Sequence, residues 1–297
     1  MSLRVLVLGG FGMLGHKVTQ VLSREFDAAV SFRREPHDEV LSLMESARKI
    51  FPVDAADLET VASAIDGFEP SVVINCIGVV KQLAAGKDPI TCITVNSLFP
   101  HQLENLCRSR GIRLICISTD CVFSGLRGGY IETDVSDAAD LYGRTKFLGE
   151  VTREGTLTLR TSIIGRELVG AHGLVEWFLS QEGRTIKGFS KAIFSGVTTR
   201  VLANIILQIL TDHGSLHGVY HVAAEPIRKY DLLTVVRDEY GLDVTIEADD
   251  SLVCDRSLNG NLFRDATRIE TPSWIDMIRD MHNDPTPYNQ LRGELIR

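Results

Sequence analysis

The chain has 297 residues, 44% of them hydrophobic and 24% charged, with a formal net charge of −8. This balance fits a folded globular protein with a sizeable core, built as one large domain or a main domain with a smaller appendage. The acidity speaks against nonspecific nucleic-acid binding, and no apolar run reaches the roughly 18 residues that suggest a membrane span.

The first predicted element is the buried strand "LRVLVLG", entered with no leader pattern before it. It ends at Gly9. Gly12 and Gly15 follow at intervals of three, and the amphipathic helix "LGHKVTQVLS" begins. In such a strand–turn–helix unit the first glycine permits the tight turn and the second lets the backbone approach a pyrophosphate. The third lets the helix pack on the strand, and the helix amino terminus, here with Met13 and Leu14, faces the phosphates. A turn that serves packing alone is the competing explanation.

The second strand, "AAVSF", is followed by Arg33 and Arg34 where a site for NAD usually places an acid. Two arginines suit a 2′-phosphate, so NADP(H) is the preferred cofactor, with NAD(H) as the alternative if Glu35 takes that place. A solvated basic patch is the other explanation. Asp54 follows the strand "KIFPV" and is placed either to accept from an adenine amino group or to cap the helix "LETVASAI".

Further along, "SVVINC", "IRLICIS" and "TLTLRTS" read as buried parallel strands, with the helix "PHQLENLCRSR" among them. The alternation implies an α/β, doubly wound Rossmann-type sheet. Ser118 and Thr119 close the strand "IRLICIS" at the sheet's carboxyl edge, where ligands bind. In "DLYGRTKFLGE", Tyr142 and Lys146 are four apart and share one helix face. Lys146 could lower the Tyr142 phenol, which would exchange a proton with a substrate oxygen.

Beyond Gly165 the rhythm loosens. "GLVEWFLSQ", "TTRVLANIILQIL" and "KYDLLTVVRDEYG" read as helices, "GVYHVA" as a short strand, and "PSWIDMIRDM" as a last helix with Pro272 at its start. Residues 1–165 are therefore expected to form the dinucleotide-binding domain with the catalytic residues. Residues 166–297 are expected to be mainly a smaller substrate-binding lobe, with some segments returning to the sheet. The six cysteines, Cys76, Cys92, Cys107, Cys116, Cys121 and Cys254, form no C-x-x-C pair. They suggest reduced thiols in a cytoplasmic protein. No ligand-spaced cluster predicts a metal.

The pieces "GGFGMLG", "VINCIGV", "VNSLFPHQLE", "STDCVFSG", "YIETDVSDAADLYGRTKFLGE", "LRTSIIG" and "GVYHVAAEPI" together resemble the extended short-chain dehydrogenases/reductases over the whole chain. Within that superfamily the chain is most similar to the dTDP-4-dehydrorhamnose reductase family. The resemblance implies NADPH-dependent reduction of a 4-keto-deoxysugar nucleotide for surface polysaccharide precursors, with Thr119, Tyr142 and Lys146 catalytic. It implies that Asn96 supports the lysine, that Asn75, Cys76, Ile77 and Gly78 flank the cofactor, and that Thr161 to Ile164 meet the nicotinamide. Asp120, Val122, Phe123, Arg200, Arg256 and Asn259 are candidates for substrate contact, the arginines for the diphosphate, and a homodimer is the superfamily expectation.

The chain departs from the family in having Cys121 after S-T-D and no proline in "CDRSLNGNLF". Two related activities stay open. Cys121 and His172 stand where the similar GDP-fucose synthases keep a carbon-acid pair, which would make a bifunctional epimerase/reductase. The regulatory β subunit of methionine adenosyltransferase resembles the same family and binds NADP without a known need for turnover, which would make a non-catalytic subunit.

Overall fold

A computed structural model describes residues 3–295. Seven parallel strands form the central sheet: β1 (Arg4–Leu8), β2 (Asp27–Ser31), β3 (Arg48–Ile50), β4 (Val72–Asn75), β5 (Arg113–Thr119), β6 (Thr156–Thr161) and β7 (Gly218–His221). Their order is β7-β6-β5-β4-β1-β2-β3. The order reverses between β1 and β4, and this switch point opens a crevice beyond the carboxyl ends of the strands. β1, β4 and β6 are buried on both faces, as continuous Val/Ile/Leu/Thr runs dictate.

Helices cover both faces. α1 (Gly15–Leu22) follows the glycine turn, and α2 (Leu58–Phe68) and α3 (Phe99–Ser109) cover the opposite core with Leu6, Val73 and Leu114. Asp57, not Asp54, caps α2, accepting from Glu59 N at 3.1 Å. The Asp54 carboxylate instead accepts from Ala56 N at 2.9 Å. α4 (Leu141–Leu148) carries Tyr142 and Lys146. Asp140 sets its start by accepting from Gly143 N at 2.7 Å, an N-cap bond that occupies one of the helix's orphan donors.

The later residues interleave with the sheet. β7 pairs with β6, and α5 (Thr199–Asp212) packs on α1. α6 (Lys229–Tyr240) and α7 (Trp274–His282) pack together. Pro272 does not begin α7; Ser273 caps it, accepting from Asp276 N at 3.2 Å. Small ribbons complete this part, Ala192–Phe194 with Ile227–Arg228 and Cys254–Asp255, and Thr185–Phe189 with Thr245–Asp249. Segment 284–291 crosses back against α1.

Candidate active site

A cavity of about 770 Å³ occupies the crevice. The glycine turn forms its floor. Gly9 adopts φ +89°, which disfavours any residue with a Cβ. A Cβ on Gly15 would lie 2.1 Å from the Gly9 carbonyl oxygen, so only glycine lets α1 approach the turn this closely. A Cβ on Gly12 would meet nothing nearer than 3.4 Å, and Gly12, Met13 and Leu14 line the cavity.

Asn75 to Gly78 form a second wall at the end of β4, and Thr161 to Ile164 a third at the end of β6. The Asn75 side chain accepts from Ile77 N at 3.0 Å and shapes that corner. At the end of β5, Thr119 Oγ1 accepts from Cys121 N and donates to Asp120 Oδ1, both at 3.1 Å. Ser118, Thr119, Tyr142 and Lys146 all line the same cavity.

The Lys146 ammonium donates to the Ile117 carbonyl at 2.8 Å. Burial pulls it below its ordinary value, and nearby acidic groups pull the other way. Among those, Cys76 and Cys116 are thiols pushed up to about 12 by burial, so Glu150 supplies the formal negative charge. Glu150 accepts from Ser118 Oγ at 2.6 Å and from Arg160 at 2.7 and 2.8 Å, in a buried ion pair.

Tyr142 departs from the sequence expectation. Burial pushes its phenol up, with the Cys121 side adding to the rise and a bond to Thr119 opposing it; Lys146 is not among the groups that move it. At neutral pH the phenol therefore keeps its proton. Asp120 is likewise pushed up by burial, against the pull of Arg256 and Lys229.

Several predicted residues lie elsewhere. Arg200 pairs with Asp280 at 3.2 Å on the α1 side, beside a separate cavity of about 340 Å³ lined by Lys17 and Asp284. Its position in the first turn of α5 points it away from the crevice. Val122 and Phe123 are fully buried in a small core with Tyr130 and Leu258, because the turn at Asp120 directs them inward. Asn259 accepts from Asn261 N at 2.9 Å, so its side chain serves a local turn.

Asn96 is buried and bonds Val79 N and Val79 O, each at 2.9 Å, and Thr145 Oγ1 at 3.4 Å. It ties the loop after β4 to α4, the helix that carries Lys146. Arg33 and Arg34 follow β2, exposed, and neither makes an ion pair or hydrogen bond among the described residues. Arg256 does reach the cavity, with Nε donating to the Phe123 carbonyl at 2.9 Å.

Two cations were missed. Lys81 and Lys229 line the cavity near Arg256, Asp120 and Cys121, and neither has an acid paired to it among the described residues. Nothing local marks them; only unpaired basic side chains flanking a glycine-led turn and a helix start could have drawn attention to them. Cys121 and His172 share the cavity too, but burial pushes the Cys121 thiol up to about 11, which keeps it protonated. Among the described residues no group of His, Cys, Asp and Glu could hold a metal ion, and no helix is long and apolar enough to cross a membrane.

The profile of the RmlD substrate binding domain family matches residues 3–257. The dTDP-4-keto-6-deoxy-D-glucose reductase of Streptomyces niveus is 30% identical over 173 residues, 56% of this chain and 54% of the relative. The chain thus spans about half the length of that relative. Methionine adenosyltransferase 2 subunit beta of Danio rerio is 28% identical over 254 residues, 80% of this chain and 74% of its own. The crystal structure of a dTDP-4-dehydrorhamnose reductase from Bacillus anthracis in complex with NADP superposes with a TM-score of 0.78 at 21% identity. That superposition covers 95% of this chain and 99% of the other, and shows the shared fold.

Proposed function

The chain belongs to the RmlD substrate binding domain family, and from that premise we propose that it reduces the 4-keto group of a nucleotide-activated deoxysugar, using NADPH, in the making of surface polysaccharide precursors. One observation carries the reading: Thr119, Tyr142 and Lys146 line the same cavity as the glycine turn. The turn fits a dinucleotide, because Gly9 and Gly15 leave no room for a Cβ while Gly12 is open toward the cavity. The Bacillus anthracis relative is a complex with NADP, and Arg33 and Arg34 suit a 2′-phosphate here.

NADPH, when bound, supplies a hydride to the ketone carbon. Tyr142, held protonated by burial, donates its proton to the ketone oxygen as negative charge develops there. Thr119 turns its hydroxyl hydrogen from Asp120 to the same oxygen and adds a hydrogen bond. Lys146, anchored at Ile117 and drawn toward its charged form by Glu150, holds the ribose side and replenishes the phenol. Lys81, Lys229 and Arg256 take the substrate diphosphate, and the small ribbons of residues 166–297 form the lobe that holds the sugar. A second copy of the chain packs on the exposed apolar side chains Ile90, Ile93, Phe147 and Leu148.

A second reading, a non-catalytic NADP-binding subunit, draws on the longer match to the methionine adenosyltransferase relative. A screen of 4-keto sugar nucleotides by NADPH oxidation separates the two. Turnover is expected in the wild type, with kcat at least about a hundredfold lower in Tyr142→Phe and NADPH binding little changed. NADPH binding without turnover on any 4-keto sugar nucleotide would favour the subunit.

A further inference from the structure

Segment 284–291 lines no part of the cavity, yet it is tied to α1 behind the glycine turn and to the stretch of chain at Arg166 and Leu168. Lys17, in the first turn of α1, pairs with Asp284 at 2.7 Å and donates to Thr286 Oγ1 at 2.9 Å. Tyr288 OH lies 2.9 Å from Nε2 of His16, whose Nδ1 lies 2.8 Å from the carbonyl oxygen of Gly12. On the other side, Arg166 lies 4.8 Å over the Tyr288 ring and donates to Asn289 at 3.0 Å. Leu168, which lines the cavity, packs in one buried cluster with Tyr288 and Leu291.

The hydrogen-bond directions follow from chemistry. A carbonyl only accepts, so Nδ1 of His16 carries the hydrogen given to Gly12. The imidazole is fully buried next to the Lys17 cation and stays neutral, so Nε2 has none and accepts from Tyr288 OH. The Gly12 carbonyl also accepts from His16 N at 3.3 Å. A glycine turn has large conformational freedom and few side chains to restrain it. In a planar trans peptide the carbonyl and the next N–H point in opposite directions. Holding the Gly12 carbonyl against His16 therefore turns the Met13 N–H outward, as an amide offered to an anion.

We propose that segment 284–291 is a latch that sets dinucleotide affinity from outside the cavity: Tyr288 holds His16, His16 holds the Gly12 peptide, and Arg166 and Leu168 carry the same clamp to residues 167–169, which line the cavity. His16 and Tyr288 are positioning residues, and the proposal rests on the glycine turn being a dinucleotide site.

The test is fluorescence titration of NADPH into the full chain, as wild type, Tyr288→Phe, His16→Ala and the double variant. Tyr288→Phe keeps the ring under Arg166 and deletes one hydroxyl. Each single variant is expected to raise Kd about fivefold, the worth of one net hydrogen bond. The double is expected to be within about twofold of either single, because both act through one chain of bonds. Amide hydrogen exchange in Tyr288→Phe should quicken at residues 12–16 and not in α7, a readout independent of turnover. Equal Kd in wild type and Tyr288→Phe, or losses that multiply in the double, would overturn the latch and leave the dinucleotide reading standing. A wild type that binds no dinucleotide would overturn both.

Discussion

Acidification to about pH 4.5 should cost the fold several kcal/mol through two histidines alone. His16 and His221 are both fully buried, and burial lowers each from the ordinary 6.5 to about 4. Both are spent as neutral rings. His221 Nδ1 faces the Tyr130 carbonyl at 3.1 Å, and its Nε2 lies 3.3 Å from the Arg160 guanidinium, so a second ring hydrogen would face a cation. His16 has the Gly12 carbonyl on one side and the Tyr288 hydroxyl on the other, with Lys17 adjacent.

Between about pH 6.5 and 4 the unfolded chain binds protons at these sites and the folded chain does not, so stability rises with pH across that window and falls as pH falls. From about pH 7.5 to about pH 4.5 each histidine contributes a loss of about 2–3 kcal/mol, about 5 kcal/mol for the pair. Asp66, Asp88, Asp134 and Asp137, held below their ordinary values by hydrogen bonds and ion pairs, act mainly at lower pH. Urea unfolding at a series of pH values measures the slope in wild type, His16→Gln, His221→Gln and the double variant. Each substitution should remove its share of the slope even where it lowers stability at neutral pH. Wild type and double variant losing stability in parallel across the window would refute the assignment.

Three other outcomes are expected. Gly15→Ala places a Cβ 2.1 Å from the Gly9 oxygen, against backbone that cannot yield cheaply, so it should cost at least about 1–3 kcal/mol of stability and abolish measurable NADPH binding in titration. Wild type should bind NADPH about tenfold or more tightly than NADH, and Arg33→Ala with Arg34→Ala should erase most of that preference, as read by paired titrations. Because burial keeps the Cys121 thiol protonated to about 11, incubation with a 4-keto sugar nucleotide in deuterated water should leave C3 and C5 unlabelled by NMR. Label that disappears in Cys121→Ser would make the protein an epimerase as well.

What the sequence determined by itself is what short-range chemistry dictates. Gly9 needs a positive φ, β1, β4 and β6 need burial on both faces, and Tyr142 and Lys146 share a helix face through their spacing of four. These features read out from a few neighbouring residues, so the doubly wound sheet and the strand-end hydroxyl were legible. Partner choice between distant segments was not. Arg200 goes to Asp280 on the far side of α1, while Lys81 comes to the cavity from a turn and Lys229 from the first residue of α6. Val122 and Phe123 adjoin the site in sequence, but the turn after Thr119 buries them in another core. The direction of the Tyr142 shift depends on how much of the ring is desolvated and on where the Lys146 ammonium is spent, both set by packing. The bond from His16 to Tyr288 spans 272 positions along the chain. Only the folded chain brings the two together, because burial makes an unpaired ring nitrogen costly whichever segment supplies its partner.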